Sequence, residues 1–251
     1  VSDLIITSPR LFLETLETTR KFVPGIKLSV SSAGTNIYFK TAISRIVVKT
    51  NSCVADDLCE FSLDDIQKLI AVVSTIEQNE NTQQINFKFN GSKLLFNETL
   101  CKFALLTSKE DIIATYLDKP IQSQLISICS FNVKSKTVGE ILSLISTLFN
   151  NSILKIEITQ DETKPEMIFV RIKASESSLS NDVYLHLANK ISGEFTQSII
   201  IDAERLGFMR YFGIDEVKFS ITNNAVLQMD AVKICDKYSS TFSLLTSLLK
   251  N

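Results

Sequence analysis

The side chains able to do chemistry in this sequence are few, and their spacing does not bring them together. The single histidine, His186, stands in VYLHLAN. Strand alternation puts it with Tyr184 on the face opposite Val183, Leu185 and Leu187, an exposed or interfacial position rather than that of a catalytic base. One imidazole leaves a histidine-based triad or a multi-histidine metal site little to work with. The adjacent acids Asp56-Asp57, Asp64-Asp65 and Asp215-Glu216 fall at loops or helix starts, where solvation or capping accounts for them. Seven glycines are scattered, and neither G-x-G-x-x-G nor G-x-x-x-x-G-K-[ST] occurs, which argues against a nucleotide-phosphate loop. Cys53, Cys59, Cys101, Cys129 and Cys235 are odd in number and form no C-x-x-C pair, a pattern of reduced, intracellular thiols. The residues thus predict a protein that is not an enzyme and carries no metal or cofactor.

What remains is binding, and composition limits its kind. A chain of 251 residues, 45% hydrophobic and 22% charged, can bury a core as one large or two ordinary domains. No apolar run approaches the roughly 18 residues of a spanning helix, and VSDLIITSPR is no secretion signal, so a soluble intracellular protein without a membrane partner is expected. The formal charge is -2 and the pI about 5.6. Any contact with nucleic acid must therefore come from local charge placement.

Four helices are predicted from apolar spacing. The first spans about Pro9 to Phe22, with Ser8 as N-cap, Phe12, Leu16, Thr19 and Val23 along one stripe, and Pro24-Gly25 as its stop. The second spans about Leu63 to Glu77, opened by Ser62 with Asp65 three residues on, and carries Ile66, Leu69, Ile70, Val73 and Ile76. The third spans about Lys136 to Phe149, with Val138, Ile141, Leu142, Ile145 and Leu148 at helical spacing. The fourth, about Asp202 to Phe212, is shorter.

After each helix come two extended segments and a turn: IKLSV and NIYFK around SSAGT; INFKF and KLLF around Asn90-Gly91; ILKIEIT and MIFVRIK around QDETKP; VKFSI and AVLQMDAVKI around Asn223-Asn224. A short apolar strand also precedes each helix. The charged stretch Ser108 to Gln124 interrupts this fourfold repeat after its second copy and reads as a connector. One-sided helices and alternating strands then give an α+β chain with two similar domains, 1–107 and 125–251, joined by 108–124, each with two helices on antiparallel sheet.

This pattern resembles the DNA sliding clamps, the family that includes proliferating cell nuclear antigen and phage processivity clamps. LFLETLETTRKF leading into SVSSAGTNIYF is similar to that family's first helix, strand and S-S-x-G-x-N hairpin. FSLDDIQKLIAVV resembles its second helix, and VKSKTVGEILSLI and IIIDAERLGFMRYF resemble the helices of its second domain. The resemblance implies a head-to-tail homotrimeric ring with helices lining the hole and edge strands paired between subunits. The matching edges are about Leu100 to Thr107, with Leu100, Lys102, Ala104 and Leu106, and about Asp182 to Asn189, with Tyr184 and His186.

It also implies partners: duplex DNA held without regard to sequence, a DNA polymerase, and a clamp loader. The cations on the four helices and their ends are Arg10, Arg20, Lys21, Lys68, Lys134, Lys136, Arg205 and Arg210, with Lys68 where the family carries an inner lysine. Glu14, Glu17, Asp64, Asp65, Glu77, Glu140, Asp202 and Glu204 balance them, and Glu140 and Ser143 stand where the family often has basic groups. In the family a partner peptide docks under the connector. Here that surface corresponds to Ile43, Ile113, Tyr116, Leu117, Pro120 and Ile121, with Leu244, Leu245 and Leu248 of the C-terminal segment. The charge balance keeps a second reading open, a clamp-like interaction module that does not encircle DNA alone, as in a mixed checkpoint ring or a monomeric viral processivity or transcription factor. Abundant Asn, Ile, Lys and Ser point to an AT-rich source genome, phage or viral in character.

Overall fold

A computed structural model describes residues 1–40, 44–80, 84–97, 102–107, 125–148, 152–160, 168–176, 182–188, 191–193, 199–201, 206–207, 209–223 and 226–247. Between 152 and 201 it describes the backbone, with side chains only at 186, 187, 192 and 193. The chain forms two compact units, Val1–Pro120 with Val232–Ser243, and Ile121–Ala231 with Leu244–Asn251.

The first unit begins with β1 (Ser2–Ile6), α1 (Pro9–Arg20), β2 (Ile26–Ser31), β3 (Gly34–Lys40), β4 (Ser44–Thr50), β5 (Cys53–Ala55) and β6 (Cys59–Leu63). It continues with α2 (Ile66–Glu80), β7 (Ile85–Phe89), β8 (Lys93–Asn97) and β9 (Lys102–Leu106). One sheet has the order β5-β1-β7-β8-β9, and a second run has β4-β3-β2-β6. The paired strands are antiparallel, as in Leu4 with Phe87 and Leu28 with Phe61.

The hairpins form where the turn residues require them. Asn90 Oδ1 accepts the N–H groups of Ser92 at 3.2 Å and Lys93 at 2.9 Å, and Gly91 takes φ 88°. At the first hairpin Gly34 takes φ 129°, and a Cβ there would stand 2.6 Å from Thr50 O, so the close approach of β4 excludes a side chain.

Helix α1 docks by a mixed face. Leu11, Phe12 and Leu16 are buried, but so are Thr15, Thr18 and Thr19. Their hydroxyls are satisfied: Thr15 Oγ1 lies 2.7 Å from Leu11 O and 2.7 Å from Ser240 Oγ, and Ser240 donates to Thr50 Oγ1 at 2.8 Å. Thr50 and Ser52 complete the chain at 2.7 Å. A connected row of buried hydroxyls permits only one seating of the helix on its sheet, a specificity that apolar contact alone does not supply. These bonds, with that of Asn51 Oδ1 to Ser239 N–H at 2.8 Å, tie 232–243 into the N-terminal unit.

The start of α2 differs from the expected one. Leu63 pairs with Ile26 in the β2–β6 ladder, so the helix begins at Ile66. Asp65 is its cap, with Oδ1 accepting Gln67 N–H at 3.0 Å, while Ser62 is fully buried in β6 and its Oγ has no hydrogen-bond partner among the described residues. Ser8 likewise stands at the cap position of α1 but makes no side-chain cap bond. Asp65→Ala is expected to cost about 1 kcal/mol by loss of the cap. Ser62→Ala is expected to be neutral or stabilising by up to about 1 kcal/mol, since an unpaired buried hydroxyl is itself a cost. Urea denaturation of the two variants would measure both; a larger loss at Ser62 than at Asp65 would reverse the assignment.

The second unit contains β10 (Ser127–Lys134), α3 (Ser135–Leu148), β11 (Ser152–Gln160), β12 (Ile168–Glu176) and β13 (Asp182–Ala188). After these come β14 (Ile191–Gly193), β15 (Ile199–Ile201), α4 (Met209–Phe212) and β16 (Glu216–Thr222). The strands β17 (Val226–Cys235) and β18 (Tyr238–Ser247) are each divided between the two units. Sheet orders are β13-β12-β11-β15 and β14-β10-β16-β17. Helix α3 buries Val138, Ile141 and Ile145. Of the fourth helix expected over 202–212, Leu206 and Gly207 are helical, α4 adds one turn, 202–205 lie outside the described residues, and Gly213 at φ 62° ends it. Ser135 ties the start of α3 to the connection after α4, its N–H donating to Asp215 O at 2.8 Å and its hydroxyl to Ile214 O.

Cys53, Cys59 and Cys129 are free and buried, and Cys101 lies outside the described residues. Burial pushes the Cys53 thiol up to about 12, the neighbouring Cys59 adds to the rise and the hydrogen bond with Thr35 opposes it, leaving an inert thiol.

Candidate nucleic-acid interface

In the first unit, α1 presents a solvent stripe of Arg10, Glu14, Glu17 and Lys21 at helical spacing, with Arg20 beside it. The stripe is partly self-neutralised, because Arg10 Nε lies 3.4 Å from Glu14 Oε1. Beneath it Lys233 of β17 donates to Thr18 Oγ1 at 2.8 Å. Burial pulls the Lys233 ammonium below its usual range, Glu14 raises it, Lys21 lowers it further and Glu17 raises it. Lys233 went unnoticed in the sequence because its partner helix is more than two hundred residues away.

On α2, Lys68 is exposed and is followed on the same face by Ala71, Thr75 and Gln78. In the second unit, exposed Lys134 ends β10, and Lys136 of α3 lies 3.8 Å from Glu140. The rest of the exposed face of α3 is Gly139, Ser143, Leu144, Ser146 and Thr147. Arg210 of α4 is exposed, and its Nε donates to Gly207 O at 3.0 Å. Arg205 lies outside the described residues. The helices therefore offer a few long cations among small neutral polar residues, with two of the cations already facing a carboxylate one turn on. Such a surface can rest against phosphates without gripping them.

The two strands expected at subunit edges are sheet edges in the structure. Strand β9 ends one sheet of the first unit, with Lys102, Ala104 and Leu106 exposed and Leu106 67% so. Strand β13 ends the β13-β12-β11-β15 sheet, with Tyr184 opposite Lys173 and exposed His186 opposite Arg171. Leu100 lies outside the described residues.

Of the expected partner surface, two residues are described. Leu244 and Leu245 of β18 are buried, 0% and 6% exposed. Ile43, Ile113, Tyr116, Leu117, Pro120, Ile121 and Leu248 lie outside the described residues. A signal passed over in the sequence is the run AVKIC, where Val232 and Ile234 share one face of β17 and are 46% and 74% exposed.

Among the described residues no group of three or more His, Cys, Asp or Glu side chains is placed to hold a metal, and no helix is long and apolar enough to cross a membrane.

Helices with antiparallel sheets in each unit, and among the described residues a sheet-edge strand in each, make up the DNA-clamp fold. A solved structure carries the likeness along the whole chain: proliferating cellular nuclear antigen from Entamoeba histolytica is similar with a TM-score of 0.69, covering 99% of both chains at 15% sequence identity. No protein-family model matches the sequence, and no curated protein matches it either.

Proposed function

We propose that this protein is a DNA sliding clamp, a non-catalytic processivity factor whose copies pair edge to edge into a trimeric ring around duplex DNA and tether a DNA polymerase and other replication factors. The full-length likeness to a nuclear antigen of the clamp fold carries this reading. The open edges β9 and β13 support it, since a head-to-tail interface that closes needs one free edge from each end of the subunit. The helix cations support a contact with phosphates that is independent of base sequence.

The near balance of charge on those helices favours one second reading, a clamp-like module that works in a mixed ring or as a monomer. A topological experiment separates the two. Protein is allowed to thread onto a bead-anchored duplex from its free end, the end is blocked with streptavidin, and the beads are washed in high salt. Retention that survives the wash and is released by restriction cutting is expected of a ring. Equal loss from blocked and unblocked duplex would refute encirclement by this chain alone.

A further inference from the structure

Asn90-Gly91 is the single Asn-Gly pair in the chain, and both residues are exposed at the tip of the β7–β8 hairpin. Three donors converge on Asn90 Oδ1: the N–H of Ser92 at 3.2 Å, the N–H of Lys93 at 2.9 Å and the Ser92 hydroxyl at 3.3 Å. A side-chain oxygen that reaches the N–H groups two and three residues ahead folds its amide carbon forward over the intervening peptide, whose nitrogen is that of Gly91. Among the described residues neither that nitrogen nor Asn90 Nδ2 has a hydrogen-bond partner, and a Cβ built on Gly91 would meet nothing within 4 Å. Nucleophile, carbonyl and leaving group thus share one open turn. The carbonyl oxygen is already surrounded by the donors that a tetrahedral oxyanion needs.

Asn51-Ser52 has the contrary arrangement in the same unit. Asn51 is also exposed, but its Oδ1 is drawn away to the Ser239 N–H at 2.8 Å. Ser52 is fully buried, with its N–H given to Thr50 Oγ1 at 3.2 Å. There the nitrogen that would attack is engaged and shielded from water.

We infer that Asn90 is a self-modification site, at which the Gly91 amide nitrogen attacks Asn90 Cγ and converts asparagine to isoaspartate and aspartate through a succinimide, with the donors on Oδ1 stabilising the intermediate. Solvent hydroxide takes the Gly91 amide proton, the nitrogen bonds to Cγ, and the C=O electron pair moves to Oδ1. The pair then returns, the Cγ–Nδ2 bond breaks, and ammonia leaves with a proton from water. Water adds to either carbonyl of the ring and opens it, giving isoaspartate when it adds at the backbone carbonyl. One water is consumed, one ammonia is released, and nothing is oxidised or reduced. The site does not depend on the clamp reading.

Isoaspartate lengthens the main chain by one carbon between positions 90 and 91 and adds a carboxylate. Asn90 N–H donates to Lys93 O at 3.2 Å, and Thr107 N–H to Ser92 O at 2.9 Å. The change therefore falls where β8 meets the edge strand β9, next to the pairing of Lys93 with Leu106, and loosens that end of the ladder.

The test is to age the full chain at mildly alkaline pH, folded and in urea, and to map its peptides by mass spectrometry with enzymatic methylation of isoaspartate. The folded chain is expected to convert at Asn90 at least as fast as the chain in urea, at a rate that rises with pH. Asn51 is expected to convert in urea and to be retained in the folded chain. Ser92→Ala, which removes the hydroxyl donor and keeps both N–H groups, should slow conversion severalfold in the folded chain and leave the rate in urea unchanged. The Thr107 N–H should exchange faster in aged than in fresh protein. Retention of Asn90 in the folded chain while the chain in urea converts would overturn the inference, since the donors would then hold the amide away from its attacker. Ageing of Ser92→Ala at the unmodified rate would overturn the role of the donors, and unaltered Thr107 exchange would overturn the effect on β9.

Discussion

Replacing Ala104 by proline is expected to abolish self-association through β9 while leaving the first unit folded. The direction of each N–H on this strand follows from one bond: Thr107 N–H donates to Ser92 O at 2.9 Å, toward β8. Alternate residues of a strand point their N–H groups the same way, so Phe103 and Leu105 also donate toward β8, and Lys102, Ala104 and Leu106 donate outward. Ala104 pairs with Leu95 across the ladder and its side chain is exposed. Proline there removes an outward donor and places a ring where a neighbouring strand would lie, yet cuts no bond to β8. One lost backbone bond is worth about 1 kcal/mol, and the steric block adds to it, so each interface should weaken by about tenfold or more. A closed trimer would lose this at every interface at once. Equilibrium sedimentation should show a monomer with an unchanged melting curve, whereas Leu105→Pro, which removes an inward donor, should lower the melting temperature. An Ala104→Pro variant that associates like the unmodified chain would show that β9 is not the joining edge.

The outward direction of Ala104 illustrates what could and could not be read in the sequence. That β9 existed was implied by the resemblance to the clamps, whereas the hairpins were legible in the residues, because Asn90-Gly91 and Ser31 to Gly34 specify their turns locally. The helix starts were less legible. Ser62 and Asp65 have the spacing of a capping pair, but Ser62 belongs to β6, whose extent is fixed by the register of Leu63 with Ile26. A pairing between residues so far apart leaves no local trace. The threonines of α1 were equally opaque, since Thr15 is explained by Ser240 and Thr18 by Lys233. An apolar stripe through Phe12 and Leu16 located the helix without showing that three of its eight buried residues are threonines.

The candidate site divides in the same way. Its cations could be counted from sequence, and the carboxylates that face Arg10 and Lys136 stand four residues on, at a spacing that brings side chains together on a helix. The seating of Arg210 over Gly207 could not be read, because it depends on where one long side chain lies on its own turn. Leu244 and Leu245 are buried, and a C-terminal apolar run reads equally well in the sequence as a core strand or as the wall of a groove.

On the clamp reading, Glu14→Gln with Glu140→Gln is expected to make duplex binding more salt-sensitive, because each removes a carboxylate that pairs with a cation on α1 or α3. Arg10 and Lys136 are 76% and 87% exposed, so their ion pairs contribute little to folding and the double variant should melt like the unmodified chain. Their effect falls on the ligand. A cation beside a carboxylate neutralises less of a phosphate than a free one, and the slope of log affinity against log salt is about -0.9 for each phosphate neutralised. Freeing both cations should therefore steepen the slope by up to about two units per chain in contact with the duplex and tighten binding at low salt. The same change should slow movement along DNA, since each added contact must be broken at every step. Anisotropy titrations from low to moderate salt would read the slope. An unchanged slope would remove Arg10 and Lys136 from the contact surface and confine it to Arg20, Lys21, Lys68, Lys134, Arg205 and Arg210. No salt dependence in either protein would mean that these helices do not face DNA, and the balance of charge on them would then favour the mixed-ring or monomeric reading.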